Sequence, residues 1–244
     1  MSRAGCQAER SIAVLILLSA FAAVEAAEPP DLDQQIALLK SKNPLVRRQA
    51  VQELGKLGDQ RAVDALAAAL GDESSDVRAS AALALGKPGD VRPVKALMAA
   101  LKDKEAVVRY NAIAALATVG AAAKQAAPAL ILTLKDGDPA VRGWAALALG
   151  KMGLPAGQVA PLLLQALKDQ DAWTRYNAAK ALGNIGPAAA GAIPALALAL
   201  KDKDVSVRHG AAGALRTFGA AAVPHLIQTL KDRDGYARRL AAET

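Results

Sequence analysis

The chain has 244 residues, a formal net charge of +7 and 53% hydrophobic residues, but only 3% aromatic residues and a single cysteine. So few aromatic residues exclude a platform on which nucleic-acid bases stack. Basic residues alternate with acidic ones, as in Lys201-Asp202-Lys203-Asp204. We therefore expect the charged residues to form a solvated edge of mixed charge and not a positively charged groove that binds nucleic acid.

The N-terminal residues 1–26 are typical of a secretory signal peptide. Arg3 and Arg10 precede an apolar run over residues 12–24, and Ala26 ends a stretch of small residues that suits cleavage. The run is shorter than the roughly 20 residues of a membrane-spanning helix, so a retained anchor is the less favoured alternative. We therefore expect an exported protein, periplasmic or secreted, without a stable membrane span after cleavage.

The single cysteine, Cys6, lies in the segment that cleavage would remove. A mature protein without a thiol has no disulfide, no cysteine-ligated zinc and no cysteine nucleophile. Export without cysteines fits a bacterial envelope protein whose fold depends on packing alone.

One pattern recurs every 30 to 33 residues along the rest of the chain. It is marked by an arginine with alanine three residues later, at Arg47, Arg78, Arg109, Arg142, Arg175, Arg208 and Arg238. In six copies, leucine stands seven residues after the arginine and glycine stands eleven residues after it. In most copies, the residue four before the arginine is one that can cap a helix. Each copy therefore predicts a first helix with one apolar stripe, begun by a cap and ended by glycine.

A second helical pattern follows, with leucine pairs such as Leu163 and Leu167. Proline opens it in four copies, at Pro128, Pro161, Pro194 and Pro224. Such periods predict a solenoid of helix pairs. We assign a linker at 27–31, a half-repeat at 32–42, six repeats at 43–233 and a half-repeat at 234–244. The longer loops of the middle three copies either mark a binding edge or vary because nothing constrains that edge.

The motif D-x-D-x-x-V-R followed by A-A-x-A-L-G-x-I-G resembles HEAT repeats of the phycobilisome-lyase-like family over residues 32–244. The resemblance implies an all-α fold, a right-handed α-solenoid of HEAT-like helix pairs. It also implies a ladder between adjacent repeats in which an aspartate six residues before each arginine takes part. The matching residues are Asp72/Arg78, Asp103/Arg109, Asp136/Arg142, Asp169/Arg175, Asp202/Arg208 and Asp232/Arg238, whereas Ser41 faces Arg47 in the first copy.

No constellation for catalysis stands out from the repeats. Deoxyhypusine hydroxylases resemble the chain in fold and hold two irons through repeated His-Glu pairs, but neither His209 nor His225 is followed by glutamate. There is no phosphate-binding glycine loop and no Ser-His-Asp arrangement. We therefore assign no catalytic residue, no cofactor and no metal.

Two sets of residues depart from the repeat and are candidates for partner binding. The aromatic residues Tyr110, Trp144, Trp173 and Tyr176 lie off the apolar stripe of the first helices, where they either form an outer recognition strip or fill the groove between adjacent helices. On the second helices, which we expect to line the concave side, the residue two before the final leucine is Leu132, Gln165 or Leu198 in the middle copies. That surface would suit a bound helix or extended peptide.

These observations favour a non-catalytic scaffold that binds a protein or peptide in the bacterial cell envelope. A chromophore or small-molecule lyase or isomerase related to phycobilin lyases is the alternative. A third hypothesis, based on the charge of +7, is electrostatic binding to an anionic polymer or membrane surface. The sequence leaves the oligomeric state open.

Overall fold

The computed structural model describes residues 31–244, so the expected signal peptide and Cys6 lie outside the described residues. The described chain is an all-α solenoid of helix pairs. Its helices are α1 Leu32–Leu38, α2 Pro44–Lys56, α3 Gln60–Ala69, α4 Ser75–Ala84, α5 Val94–Ala100, α6 Ala106–Val119, α7 Ala127–Thr133, α8 Pro139–Lys151, α9 Ala156–Ala166, α10 Ala172–Ile185, α11 Ile193–Ala199, α12 Val205–Thr217, α13 Val223–Thr229 and α14 Gly235–Glu243. The even-numbered helices are the first helices of the repeats, and the odd-numbered ones are the second helices.

Most first helices begin and end where the sequence marks them, but Ser74 and Glu105 make no capping hydrogen bond and Gly58 has no positive φ. The side chains of Asn43, Asp138, Asp171, Asp204 and Asp234 accept hydrogen bonds from backbone N–H groups of the first turn. A glycine with positive φ follows five of the first helices, and this conformation ends a helix at low cost only for glycine. These are Gly89, Gly120, Gly153, Gly186 and Gly219.

The connections within the repeats differ from the expected loops. Gly120–Ala126, Gly186–Ala192 and Gly219–Ala222 are 3-10 turns. Pro128, Pro194 and Pro224 stand in the first turn of their helices, but the prediction for Pro161 was wrong, because α9 already begins at Ala156 and contains that proline. The longer connection of this copy therefore supplies an extra turn of helix.

Adjacent first helices pack almost backbone to backbone. A Cβ atom built on Gly150 would lie 2.6 Å from the Cα atom of Ala181, and one on Gly86 would lie 2.7 Å from the Cα atom of Ala115. Gly55 and Gly183 meet alanines of the next first helix in the same way. The glycine eight residues after the arginine thus sets the close spacing of these helices.

The second helices lie farther apart than the first helices. Among them, only α1 with α3 and α11 with α13 make more than marginal contact, whereas the first helices from α2 to α14 all pack on their neighbours. A stack that is closer along one side curves towards that side, and the curvature of a solenoid creates its concave surface. The closer packing indicates that the first helices line the concave side, whereas the sequence analysis expected the second helices there.

Two helical stretches, Ala106–Thr133 and Ala172–Ala199, are long and apolar enough to cross a membrane by length and composition. Each of them contains two α-helices separated by a 3-10 turn, and the chain turns at Gly120 or Gly186 with positive φ. Their buried residues belong to the continuous apolar core of the solenoid, so these stretches are parts of repeats.

A ladder of ion pairs joins each repeat to the next. Nε and Nη2 of Arg175 donate to the two carboxylate oxygens of Asp202 at 2.7 and 2.8 Å, and its Nη1 donates to the carbonyl oxygens of Asp169 and Gln170 at 2.9 Å. Both side chains are largely buried, with 7% and 13% of their surface exposed. The same bidentate pairing occurs in Arg47–Asp72, Arg78–Asp103, Arg109–Asp136 and Arg142–Asp169.

The aspartate six residues before an arginine thus offers that arginine its backbone carbonyl, while its carboxylate pairs with the arginine of the preceding repeat. The first copy keeps this arrangement, because Arg47 donates to the carbonyl oxygen of Ser41 at 2.8 Å and pairs with Asp72. The departure occurs at the other end. Asp232 pairs with Lys201, and Arg208 pairs with Asp234 instead.

The ladder predicts a loss of stability in acid. Hydrogen bonds from Arg47 and Arg78 hold the pKa values of Asp72 and Asp103 below the ordinary value. For three further aspartates, burial raises the pKa, but the bonds from arginine and backbone N–H groups outweigh it, so the pKa is again lowered: Asp136, Asp169 and Asp202. A carboxylate with a lowered folded-state pKa stabilises the fold above its unfolded-state pKa of about 3.9, and this contribution is lost as pH falls through the folded-state pKa.

We therefore expect the stability of the protein to fall steeply below about pH 4. Asp202→Asn tests whether the carboxylate of Asp202 causes this loss, because asparagine is neutral at every pH. In acid the wild-type carboxyl becomes protonated and neutral as well, so the two proteins should become alike. Denaturant unfolding of both proteins, followed by circular dichroism between pH 3 and pH 7, is expected to show a difference in unfolding free energy that shrinks in acid. A difference that stays constant over this range would show that the carboxylate of Asp202 does not carry the effect.

Candidate partner-binding face

The aromatic residues predicted from the sequence lie on the first helices, where Trp173 is exposed and Tyr110, Trp144 and Tyr176 are partly buried. We call the solvent-facing side of the first helices, which carries Tyr110, Trp144, Trp173 and Tyr176, the first-helix face. The ring centroids of Trp144 and Trp173 are 6.4 Å apart in an edge-to-face arrangement, and those of Trp173 and Tyr176 are 5.8 Å apart and stacked. Three of the four predicted aromatic residues therefore form one cluster, whereas Tyr110, on the preceding first helix α6, is not part of these ring contacts.

Glycines on the neighbouring helices make room for these rings. A Cβ atom on Gly143 would lie 2.6 Å from Cδ1 of Trp173, and one on Gly210 would lie 2.9 Å from Cδ2 of Tyr176. The rings thus fill part of the groove between adjacent first helices. Trp173 nevertheless remains 44% exposed, so the cluster also presents an aromatic surface to solvent. The two alternatives from the sequence, an outer recognition strip and the filling of the groove between helices, therefore each describe part of this arrangement.

A groove of 320 Å³ continues from this cluster between α10 and α12. Its floor is formed by glycine and alanine, including Gly183, Gly210 and Gly213. The ammonium group of Lys180 lies 5.4 Å from the centroid of the Tyr176 ring, which forms one wall. The alanine of the floor is Ala214, and the rest of the lining comes from Asn184, His209 and Thr217.

His209 is fixed in place on the other wall of the groove. Its Nδ1 lies 2.9 Å from the carbonyl oxygen of Val205, and its Nε2 lies 3.2 Å from the hydroxyl oxygen of Tyr236. The guanidinium group of Arg239 lies 4.9 Å from the centroid of the Tyr236 ring. Aromatic rings and cations therefore continue along the first-helix face beyond the groove.

The first-helix face carries positive charge over the middle of the solenoid. The four first helices α6, α8, α10 and α12 contain no aspartate or glutamate. Apart from the arginines of the ladder, they carry the exposed cations Lys151, Lys180 and Arg216. An acidic partner would therefore meet no carboxylate on these four helices.

We call the solvent-facing side of the second helices the second-helix face; the described second helices contain no Phe, Tyr or Trp. Leu132 and Leu198 are 71% and 68% exposed, and Gln165 is exposed at the equivalent position. The predicted residues thus face solvent, but the wider spacing of the second helices separates them. A cleft of 560 Å³ between α11 and α13 lies beside Leu198.

The residues 31–244 hold no cluster of three or more His, Asp or Glu side chains that would bind a metal ion. His209 contacts the carbonyl oxygen of Val205 and the hydroxyl of Tyr236, and His225 lies on the second-helix side, beside the cleft between α11 and α13. The aspartates with lowered pKa are the paired ladder residues and the turn residue Asp90, whose pKa is lowered by hydrogen bonds from Arg92. These groups hold the fold together.

A family model for HEAT repeats matches residues 32–117, 94–163 and 159–244, which together span the whole described solenoid. The chain belongs to the HEAT-repeat family. Among solved structures, this HEAT-repeat protein is similar to a chain in the complex of CpcE and CpcF of phycocyanin lyase from Nostoc sp. PCC7120, with 26% identity, a TM-score of 0.57 and coverage of 89% of this chain and 95% of the other.

The HEAT-repeat protein is also similar to YibA from Escherichia coli, with 25% identity, a TM-score of 0.57 and coverage of 82% and 76% of the two chains. A designed armadillo repeat protein in complex with the peptide (KR)4 shares only the fold, with 20% identity, a TM-score of 0.55 and coverage of 77% and 99%. No curated protein matches the chain.

Sequence reasoning missed the glycines that shape the first-helix face. Gly143, Gly210 and Gly213 admit the aromatic rings and open the groove, and Gly150 and Gly183 set the helix spacing. The signal was present, because glycine inside a helix is costly and needs a packing reason. The contact between His209 and Tyr236 beside the groove was missed as well, because it forms only where α12 and α14 approach each other in the stacked repeats.

Proposed function

We propose that this HEAT-repeat protein is a non-catalytic scaffold of the bacterial cell envelope that binds a protein or peptide along its first-helix face. One observation carries the proposal. Both tryptophans and all three tyrosines of the chain, in a protein with only 3% aromatic residues, lie on first helices, and Trp173 is 44% exposed. Tryptophan and tyrosine are the residues that most often dominate binding energy in protein interfaces.

The electrostatics support the same face. The first helices α6, α8, α10 and α12 carry no carboxylate, so their surface suits an acidic partner. The paired aspartates of the ladder recur in nearly every copy, as a stacking interaction does, and none of them stands apart as a catalytic acid or base. The envelope location rests on the signal-peptide pattern of residues 1–26. A curved array of helices whose inner side carries aromatic rings suits an elongated partner.

Affinity capture tests this function. The tagged mature protein is crosslinked in the envelope fraction of its native host, and captured proteins are compared between wild type and Trp144→Ala/Trp173→Ala. We expect one specific protein to be captured by wild type and lost with the double variant, because the variant removes the exposed aromatic surface. The matched control is Leu132→Ala/Leu198→Ala, which removes exposed apolar groups from the second-helix face and is expected to leave capture unchanged.

The opposite pattern, with capture lost only in the leucine variant, would contradict the assignment to the first-helix face. Both variants must retain the helical circular dichroism of wild type. With the captured partner in hand, tryptophan fluorescence gives a second readout, because both emitting residues are in the cluster. We expect a saturable shift in emission on titration with the partner.

A lyase-like enzyme acting on a bound chromophore or small molecule is the second candidate. The observation that favours it is the 26% identity to a chain of the phycocyanin lyase complex over 89% of this chain. Absorption spectroscopy and mass spectrometry of the purified mature protein decide between the two. A stoichiometric absorbing ligand would favour the enzyme, and its absence together with specific protein capture would favour the scaffold.

A further inference from the structure

We propose that the groove between α10 and α12 is an anchoring pocket for an acidic, extended peptide segment that inserts one bulky apolar side chain. This inference rests on the proposed function and names the chemistry of the partner. The groove adjoins the tryptophan cluster through Tyr176, so a peptide lying along the first-helix face passes over both.

The floor of the groove is apolar because it consists of helix backbone and small side chains. A Cβ atom on Gly213 would meet nothing closer than a terminal nitrogen of Arg216 at 4.0 Å, so the space above this glycine is open. By contrast, Gly210 is already covered by the ring of Tyr176. A volume of 320 Å³ is at the small end of ligand pockets and has room for one or two side chains of a peptide.

The rim of the groove determines the charge of the occupant. Lys180 lines the groove and stands over the ring of Tyr176, Arg216 reaches to within 4.0 Å of a Cβ atom on Gly213, and Lys151 lies outside the groove on the preceding first helix. No carboxylate from α6, α8, α10 or α12 neutralises them. A partner with carboxylates beside its apolar side chain gains charge complementarity here, whereas a basic segment is repelled.

The amides and hydroxyls of the lining suit a peptide backbone. Asn184 on α10 and Thr217 on α12 line opposite sides of the same groove, and His209 is held by Val205 and Tyr236. Side chains of this kind hydrogen-bond an extended main chain without selecting its sequence. The cations are few and spread over three helices, which favours an acidic peptide over a densely charged nucleic acid.

A peptide of defined sequence tests the inference. The probe is a fluorescein-labelled dodecapeptide of four Leu-Asp-Glu units, and its binding to the mature protein is followed by fluorescence anisotropy at low salt. Two variants close the site in different ways. Gly213→Leu fills the groove at a position with free space, and Lys180→Glu/Arg216→Glu reverses the charge of its rim. We expect each to weaken binding by about tenfold or more, as loss of an interface hot spot does.

The controls match these changes on the other side of the solenoid. Ala68→Leu enlarges an exposed residue of α3, and Lys102→Glu/Lys135→Glu makes the same charge change beyond the second helices. Both are expected to leave the dissociation constant within about twofold of wild type, since surface changes away from the interface contribute little. Unchanged thermal unfolding of Gly213→Leu shows that its effect arises in the groove.

Any of three results with peptides would overturn the inference: the acidic peptide does not bind, an equivalent Leu-Lys-Lys peptide binds equally well, or Gly213→Leu binds as tightly as wild type. A single-stranded oligonucleotide that binds as tightly, with no effect of Gly213→Leu, would also overturn it, because charge alone would then explain binding. If the peptide fails while capture of the native partner still depends on Trp144 and Trp173, the proposed function stands and only this inference falls.

Discussion

Replacing Arg175 with alanine is expected to lower the free energy of unfolding by about 3 kcal/mol, because it leaves the buried carboxylate of Asp202 without its partner. The wild-type guanidinium group also satisfies the carbonyl oxygens of Asp169 and Gln170. One substitution therefore removes two hydrogen bonds to the connection before α12 and two to the connection before α10. Denaturant unfolding followed by circular dichroism measures the change.

Arg238 offers a matched control at the same position of the last copy. Within the described residues its side chain donates only to the carbonyl oxygens of Asp232 and Arg233 and is exposed. Arg238→Ala is therefore expected to cost about 1 kcal/mol or less. Equal losses in the two variants would show that the pairing between repeats does not stabilise the array.

Replacing Gly150 with alanine is expected to cost about 1–3 kcal/mol, although alanine is the better helix former. The added Cβ atom would lie 2.6 Å from both Cα and Cβ of Ala181 and 2.8 Å from its carbonyl oxygen. Because these are mainly backbone atoms, α8 and α10 have to move apart. That movement disturbs the close packing of the first helices, and thermal unfolding measures its cost.

Gly213→Ala is the control for this prediction, since Gly213 is also within a first helix but faces open space. We expect it to leave stability unchanged or to raise it by about 0.5–1 kcal/mol through helix propensity alone. If Gly150→Ala were as stable as Gly213→Ala, the first helices would not be held at the spacing that makes their side concave.

The repeat spacing in the sequence predicted the helix pairs well. Caps such as Asp138 and stop glycines such as Gly120 mark the ends of the first helices by local backbone chemistry, which sequence alone expresses. The start of α9 escaped prediction because Pro161 suggested a helix beginning, while residues 156–160 had no strong local signal of their own.

The concave side and the groove could not be predicted in the same way. Curvature depends on the difference in spacing between two sets of helices, and this difference arises from glycine and alanine meeting across repeats, as Gly150 meets Ala181. Which aspartate pairs with each ladder arginine also depends on how the repeats stack. Arg208 pairs with Asp234 and not with Asp232, because Lys201 takes Asp232, and such competition appears only when the repeats are stacked.

The candidate residues nevertheless came from a simple principle, that a repeat protein places function where its copies differ. Trp144, Trp173 and Tyr176 interrupt the pattern, and the structure brings them together. The sequence did not reveal the cluster, because the ring of Trp173 packs on Gly143 of the preceding first helix, a contact between residues 30 positions apart. The glycine there is as informative as the aromatic residues.

Site-specific photo-crosslinking tests the central claim most directly. A photoreactive phenylalanine analogue replaces Trp173 on the first-helix face in one strain of the native host and Leu132 on the second-helix face in another, and both are irradiated in living cells. We predict one discrete crosslinked protein from position 173 and none from position 132. A crosslinked protein from position 132 alone would contradict a scaffold that binds its partner along the first-helix face.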